Sequence, residues 1–308
     1  MKNGHYKSRF SFDSNLFREM ALKQWKMLLA LGVFLWIGAV GIPYSQAATF
    51  HVNCQSGTPD GSNGFYSTIS TAVSAAAAND IIRVHAGSTC EESVTINVNK
   101  TGLRIMGDNP SNTKVIHTPA LASVNVFTVS ASSVEIAGLT ITGSGNGIYI
   151  NSVSASIHNN HINYNKANGI YTAGNLGDAG IVFNNIIKGN TLDGIYCSTI
   201  GTGQFAHSNI ITENGNYALS SGVDNYAYNS TYKNKYNASI ALGIGNIQQD
   251  CLFVNESANP PDFRLQNTSP CKNTGNTGYL DADGTRPTWV PSVDPALPYF
   301  GPMEMVGL

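Results

Sequence analysis

A repeat of about 25 residues in the middle of the chain limits its possible folds more than any other feature. The segment Ile157–Tyr171, IHNNHINYNKANGIY, aligns with Val182–Tyr196, VFNNIIKGNTLDGIY, at a constant offset of 25 residues. A third copy begins at Ala206, and a fourth precedes the others and ends in Gly147-Ile148-Tyr149. Self-similarity at this period is typical of solenoids, in which successive copies stack and share one core.

The composition of each copy favours strands over helices. Short runs rich in Ile, Val, Tyr and Thr alternate in polarity and are separated by Asn and Gly. We therefore predict a parallel β-helix whose coils stack at about 4.8 Å, with the isoleucines pointing inward. Asn165, Asn190 and Asn214 would lie at corners, because Asn tolerates the left-handed conformation and its side chain can hydrogen-bond along the axis.

Composition excludes two broad classes of protein. With 42% hydrophobic residues and a net charge of −2, the chain is not typical of a disordered protein. The pI is near 6.4 and no Lys/Arg stripe is present in the sequence, so no nucleic-acid partner is expected.

The N-terminus reads as a secretory signal. A basic segment precedes an apolar run of 16 residues, 27–42, which is shorter than the roughly 20 residues of a membrane helix. Ser45 and Ala47 suit positions −3 and −1 of a cleavage site. We predict a signal peptide at 1–47, beginning at Met1 or Met20, with a retained N-terminal anchor as the alternative. The mature protein would be secreted or on the cell surface, with the periplasm as a further option, and not in the membrane.

The segments on either side of the repeats extend the same architecture. Residues Ser67–Asp80 predict a short helix with Ile69, Val73 and Ala76 on one face, which would plug the open N-terminal end of the core. Early strands are predicted at Ile81–His85, Val94–Val98 and Leu103–Met106. We expect one domain, 48–308, with repeat coils at about 81–245 and an irregular C-terminal cap at about 246–308.

Two motifs outside the repeats resemble a known superfamily. The string TISTAVSAAAANDIIRVHAGSTCEESVTI is similar to the opening of secreted bacterial right-handed parallel β-helix (pectin-lyase-like) proteins, with Asp80, Ile82, Val84, Gly87 and Glu91 or Glu92 in matching places. DFRLQNTSPCKNTGNTG resembles the closing segment of that superfamily. The resemblance implies an all-β fold, a single right-handed parallel β-helix solenoid. It implies little about activity, because the superfamily includes lyases, hydrolases, esterases and proteins of unknown role.

Cysteine positions follow from the layout that the resemblance implies. Cys54 precedes the helix and Cys90 follows it, so this pair could staple the N-terminal cap, whereas Cys251 and Cys271 could staple the C-terminal cap. Cys197 lies two residues after Ile195 and is therefore predicted to be a buried thiol that faces the core.

Candidate catalytic residues are sparse. Lys188 and Asp193 share a coil, and Lys166 lies near the column of Lys188, which permits a base-plus-acid pair but equally suits scattered charges on a solvated face. His158 and His207 share a column, where we expect surface residues and not a metal site. The sequence DADG at Asp281–Gly284 could bind Ca²⁺ but is more often a turn. No metal or other cofactor is otherwise expected, and whether the protein is an enzyme stays open.

Three tyrosines form the strongest candidate site. Tyr149, Tyr171 and Tyr196 each follow an inward isoleucine in three successive copies, so they should point outward in one column. Cross-strand packing would explain such a column, and so would a strip that stacks on sugar rings. Asp193 lies close in sequence and is a candidate acceptor for sugar hydroxyls. We predict a protein that binds or processes an extracellular polysaccharide or cell-surface glycan along this face; the alternative is a non-catalytic structural or adhesin-like β-helix.

Overall fold

The chain folds into a parallel β-helix in which each coil contributes one strand to each of three long sheets. The computed structural model describes residues 46–55, 61, 64–118, 124–174, 181–198, 201–220, 223–238 and 243–276. Almost all of the predicted signal peptide, both candidate start sites, the sequence at Asp281–Gly284 and the Pro-rich tail lie outside the described residues.

Sheet A has nine strands and includes two that precede the first full coil. Its order is β2-β1-β3-β6-β9-β12-β15-β18-β21, and every neighbouring pair is parallel. The strands are β1 (Thr49–Val52), β2 (Phe65–Tyr66), β3 (Ile81–Val84), β6 (Arg104–Gly107), β9 (Val134–Ala137), β12 (Ala155–His158), β15 (Ile181–Phe183), β18 (Gly201–His207) and β21 (Val223–Ala227).

Sheets B and C have seven strands each and complete the three walls of the coil. Sheet B consists of β4 (Thr89–Glu91), β7 (Lys114–His117), β10 (Thr140–Gly143), β13 (His161–Asn163), β16 (Ile186–Lys188), β19 (Ile210–Thr212) and β22 (Ser230–Tyr232). Sheet C consists of β5 (Val94–Ile96), β8 (Phe127–Val129), β11 (Ile148–Asn151), β14 (Ile170–Ala173), β17 (Ile195–Cys197), β20 (Tyr217–Ser220) and β23 (Tyr236–Ala238). The predicted fold class is confirmed, and the predicted early strands correspond to β3, β5 and β6.

Columns of aliphatic side chains fill the interior, as the repeat predicts. In sheet B the inward position is occupied on successive coils by Val115, Ile141, Ile162, Ile187 and Ile211, all fully buried. The predicted inward orientation of Ile170 and Ile195 in sheet C is confirmed as well. Burying a side chain of this size contributes about 1.5–3 kcal/mol, so these stacked columns are the main source of stability.

Asparagine ladders hold the coils together at the corners. In each ladder the Oδ1 of one Asn accepts the backbone N–H and the Nδ2–H of the Asn one coil earlier, at 2.8–3.2 Å. One ladder runs Asn160, Asn185, Asn209, Asn229, Asn246, and the other runs Asn165, Asn190, Asn214, Asn234. The structural role predicted for Asn165, Asn190 and Asn214 is confirmed.

The left-handed residue at these corners is the one before the ladder position. In the first ladder it is Asn159, Asn184, Ser208 or Tyr228, with φ between 51° and 57°. The predicted hydrogen bonding of Asn side chains along the axis is confirmed, because the ladder uses an amide that both donates and accepts. The prediction that the ladder residue itself needs to tolerate positive φ is wrong.

In the three copies that contain an Ile-Tyr pair, a glycine precedes the pair because neighbouring coils approach closely there. A Cβ on Gly147 would lie 2.7 Å from the carbonyl oxygen of Gly169, and a Cβ on Gly169 would lie 2.7 Å from that of Gly194. The repeated Gly is thus required by backbone packing between coils.

The N-terminal end of the core is covered by helix α1 (Ile69–Ala75), which is shorter than the predicted Ser67–Asp80. The Glu92 carboxylate accepts the N–H groups of Ile69 and Ser70 at its start. Past Ala75 the chain becomes extended, and Asp80 accepts the N–H groups of Ala77 and Ala48, which replaces further helical turns. No helix among the described residues is long and apolar enough to cross a membrane.

The described part of the predicted C-terminal cap lies against the side of sheet B. It contains the antiparallel pair β24 (Phe253–Asn255) and β25 (Asp262–Leu265). Ile186 and Ile210 occupy outward positions of sheet B and pack with Phe263 and the Cys251–Cys271 region in a second buried cluster. These outward isoleucines need apolar cover, and β25 supplies it.

Candidate functional site

The three tyrosines form one continuous stack on the outer face of sheet C. The strand register pairs Tyr149 with Tyr171 and Tyr171 with Tyr196. Ring centroids are 5.4 Å apart in the first pair and 4.9 Å in the second, with planes inclined by 13° and 18°. All three side chains are partly exposed. The predicted column is present and faces outward.

The stacking changes which part of each tyrosine can contact a ligand. Both faces of the Tyr171 ring are covered by its neighbours, and Tyr149 and Tyr196 each have one covered face. The prediction that one sugar ring stacks on each tyrosine does not fit this geometry, because the faces are already used. The ring edges and phenol hydroxyls of the three residues remain available for a ligand that follows the helix axis.

Other hydroxyl side chains extend the column at both ends. The register places Thr128 beside Tyr149, Thr95 beside Thr128, and Ser220 beside Tyr196. Thr95 is exposed and Thr128 partly exposed, whereas Ser220 is buried. We call Thr95, Thr128, Tyr149, Tyr171 and Tyr196 the hydroxyl column.

The central tyrosine is held in its neutral form. Burial raises the pKa of Tyr171 above its ordinary value, and the adjacent Tyr196 and Tyr149 phenols and the Cys197 thiol raise it further. Ionised phenols at this spacing would repel one another. Tyr171 therefore presents a hydroxyl that both donates and accepts hydrogen bonds at neutral pH.

Asp193 does not lie with the ligand-facing groups, which corrects our assignment of it as an acceptor of sugar hydroxyls. It is 4% exposed, and its carboxylate accepts the N–H of Tyr217 at 2.8 Å and the hydroxyl of Ser220 at 2.7 Å. Its own N–H binds Asn168 Oδ1, so it ends a third ladder that begins Asn125, Asn146, Asn168. The coil after Asp193 depends on this carboxylate for its turn.

The structure does not bring Lys188 and Asp193 together as a base-plus-acid pair. Lys188 is 3% exposed and pairs with Glu213 at 2.6 Å and Glu256 at 2.8 Å. Burial would lower the pKa of Lys188, but hydrogen bonds from its ammonium to the two glutamates outweigh it and raise that pKa. A permanently charged lysine is a poor general base, and this one joins sheet B to the segment that covers it.

A charged cluster on sheet A was not foreseen from the sequence. Glu135 accepts from Arg104 Nε at 2.5 Å and lies 2.9 Å from His158 Nε2. Burial alone would raise the pKa of Glu135, but the hydrogen bonds from His158 and Arg104 lower it to about 2. The sequence could have indicated this cluster through spacing, because Glu135 and His158 are 23 residues apart, which is close to the length of one coil.

Beside this cluster, His158, Phe183 and His207 stack in a second aromatic column. Their ring centroids are separated by 4.6 Å and 5.4 Å. His158 is 8% and His207 1% exposed, so our prediction of surface residues is wrong for both. Burial lowers the pKa of His207 to about 3, which keeps this imidazole neutral.

Both disulfides that the resemblance implied are present. Cys54 and Cys90 bridge the segments on either side of α1, and Cys251 and Cys271 bridge the two ends of the segment that covers sheet B. Cys197 is a buried thiol 2.8 Å from the hydroxyl of Thr172, in agreement with its predicted inward position.

Comparison with known proteins gives likenesses of fold alone. No protein-family model and no curated protein matches the sequence. A pectin methylesterase in complex with hexasaccharide VII is 13% identical, covers 69% of this chain and 70% of its own, and has a TM-score of 0.41. Pectin methylesterase PemA from Erwinia chrysanthemi is 11% identical over 63% of this chain and 81% of its own, with a TM-score of 0.37. At such low identities and scores, these likenesses carry no argument about activity.

Proposed function

We propose that this protein binds an extracellular polysaccharide or cell-surface glycan along the hydroxyl column of sheet C. The observation that carries the proposal is the regular spacing of Tyr149, Tyr171 and Tyr196, whose rings follow one another at 5.4 and 4.9 Å. Sugar rings in an extended chain repeat at about 5 Å, close to the spacing of the coils. A glycan lying parallel to the helix axis would therefore keep its register with successive tyrosines.

Each contact in this arrangement is a hydrogen bond from a phenol to a sugar oxygen, supported by contact with the ring edge. A single neutral hydrogen bond contributes about 0.5–1.5 kcal/mol net. Binding thus accumulates over several weak contacts, and a longer oligosaccharide should bind more tightly than a short one. The hydroxyl column contains no charged side chain. It should therefore recognise the positions of the hydroxyl groups on the sugar more than the charge of the glycan.

The proposal concerns binding, and a catalytic role has less support. In the described part of the chain, Lys188 is engaged by Glu213 and Glu256, and Asp193 is buried in a turn. Neither group lies beside the tyrosines as a positioned base or acid. Retention on a glycan without change to that glycan is the expected behaviour.

A glycan array probed with the purified full chain identifies the ligand. Retention on that glycan is then compared for the wild type, the triple variant Tyr149→Ala, Tyr171→Ala, Tyr196→Ala, and the control Tyr164→Ala. Tyr164 is 51% exposed at a corner outside the column. We expect the triple variant to lose retention and the control to keep it, with unchanged far-UV β signals. Equal retention by the triple variant would contradict the proposal, and the absence of retention on any glycan would leave the structural alternative.

A further inference from the structure

Two histidines contact each other at the N-terminal end of sheet A, where β1 pairs with β3 of the first coil. His51 lies on β1, and His85 follows β3 directly. His51 Nδ1 is 3.0 Å from His85 Nε2, and the two ring planes differ by 11°. Both side chains are partly exposed. The two nitrogens are joined by a hydrogen bond, and together they form a partly exposed pair of potential nitrogen donors.

Asp108 fixes the tautomer of one partner. Its Oδ2 lies 3.2 Å from His85 Nδ1 and also accepts the N–H of Ala86, while its Oδ1 accepts from Arg83 Nε at 2.6 Å. A neutral His85 therefore carries its proton on Nδ1 and directs the Nε2 lone pair toward His51. A carboxylate bound to the far nitrogen is the usual support of a metal-ligating histidine.

The rings are also held in place by packing. Phe65 on β2 stacks against His51 at 5.1 Å between centroids and lies 6.0 Å from the His85 ring. Phe65 belongs to the strand that pairs with β1, so the sheet itself positions this ring. A donor pair that is already ordered loses little side-chain entropy when it binds a ligand.

The separation of the two nitrogens is close to that of two donors on one metal ion. Metal–nitrogen bonds of about 2.0–2.1 Å place two cis donors about 2.9 Å apart at a right angle and about 3.4 Å apart at a tetrahedral angle. The observed 3.0 Å lies between these two values and is also the length of an N–H···N hydrogen bond, whose proton the ion would replace. Square-planar or tetragonal nitrogen sites are typical of Cu²⁺ and Ni²⁺, and Cu²⁺ binds most tightly in the divalent series.

We propose that His51 Nδ1 and His85 Nε2 bind one divalent late transition-metal ion, Cu²⁺ in preference to Ni²⁺, with water at the remaining positions. Asp108 positions His85 and does not itself bind the ion. When the ion enters, the proton of neutral His51 moves from Nδ1 to Nε2, so that both facing nitrogens offer lone pairs. This site is independent of the hydroxyl column. It also departs from our expectation, based on sequence, that no metal ligands would be found.

Titration of the full chain with Cu²⁺, followed by electron paramagnetic resonance, tests this directly. The wild type should bind one tight equivalent with two nitrogen donors. His51→Phe, which retains a ring against Phe65, and His85→Ala should each lose that equivalent. His117→Ala is the matched control, because His117 is another partly exposed histidine that lies beside Ser144 and outside this site.

Two further readouts separate binding from folding. Asp108→Asn should weaken Cu²⁺ binding by about 10–100-fold, as expected for loss of a supporting carboxylate, without abolishing it. Ni²⁺ should raise the melting temperature of the wild type but not that of the double variant His51→Phe, His85→Ala, because only a native state with the site is stabilised. If the double variant binds Cu²⁺ with wild-type affinity and spectrum, or if the wild type binds no tight equivalent, the proposal is overturned.

Discussion

Replacement of one asparagine in a ladder should destabilise the β-helix more than the loss of a single small side chain would suggest. Asn185 is fully buried, and its side chain takes part in five hydrogen bonds. Nδ2 donates to Ile157 O, Phe183 O and Asn209 Oδ1, and Oδ1 accepts from the N–H and the Nδ2 of Asn160, all at 2.9–3.1 Å. Asn185→Ala removes these bonds and deprives the buried N–H of Asn160 of its acceptor.

The magnitude follows from the number of bonds. At about 0.5–1.5 kcal/mol net for each of the five bonds, with about 1–3 kcal/mol for the buried donor left unpaired, we expect Asn185→Ala to cost at least about 3.5 kcal/mol. Asn151→Ala is the matched control, because Asn151 is exposed at the end of β11 and its replacement should change stability by less than about 0.5 kcal/mol. Urea unfolding followed by far-UV circular dichroism measures both.

The account of the ladders also predicts that the stability of the variant Asn185→Asp depends on pH. The carboxylate faces three acceptor oxygens without a proton to donate, so the folded state favours the neutral acid and the pKa of the introduced group rises above its unfolded value. The variant should therefore become less stable, relative to wild type, as the pH rises through 4. A cost for Asn185→Ala no larger than that of Asn151→Ala would refute the account of the ladders.

Three more predictions concern the core and the charged cluster. Ile195→Asp places a charge at a position that is 2% exposed and should cost several kcal/mol, whereas Leu192→Asp on the same coil, 46% exposed, should be tolerated; equal thermal melting of the two would exclude the register. The Cys197 thiol should react with an alkylating reagent only after unfolding, and rapid labelling of native protein, read by mass spectrometry, would contradict its burial. Because the pKa of Glu135 is lowered to about 2, its contribution to stability is present above the unfolded value and is lost as the pH falls toward 2. Glu135→Gln should lose less stability than the wild type as the pH falls toward 2. The same dependence of stability on pH in both proteins would count against the Arg104–Glu135–His158 cluster.

The repeat was enough to predict the coils, because each position in it has one dominant physical constraint. The inward isoleucines, the Gly before each Ile-Tyr pair and the ladder asparagines recur at one-coil spacing and are visible as columns in the sequence. The outward tyrosines were identified on the same basis. Their mutual stacking was not foreseen, since a column in the sequence does not indicate whether neighbouring rings contact each other or a ligand.

Contacts outside the repeat were predicted poorly, because they join segments with no shared period. Asp193 is an exception, because Tyr217 and Ser220 of β20 engage it at one-coil spacing, yet it looked like a free acid in its sequence context. Lys188 pairs with Glu256, 68 residues away, in the segment that covers sheet B. The encounter of His51 with His85 depends on β1 pairing with β3, and β1 lies before the repeats begin.

The most direct test of glycan binding by the hydroxyl column replaces only its phenol oxygens. The triple variant Tyr149→Phe, Tyr171→Phe, Tyr196→Phe keeps the aromatic stack and removes the three groups that the stack leaves available. Calorimetric titration with the glycan identified on the array should show affinity lowered at least about 10-fold, equivalent to about 1.4 kcal/mol, with an unchanged melting temperature. Wild-type affinity in this variant would contradict the account and show that the phenol hydroxyls do not bind the ligand.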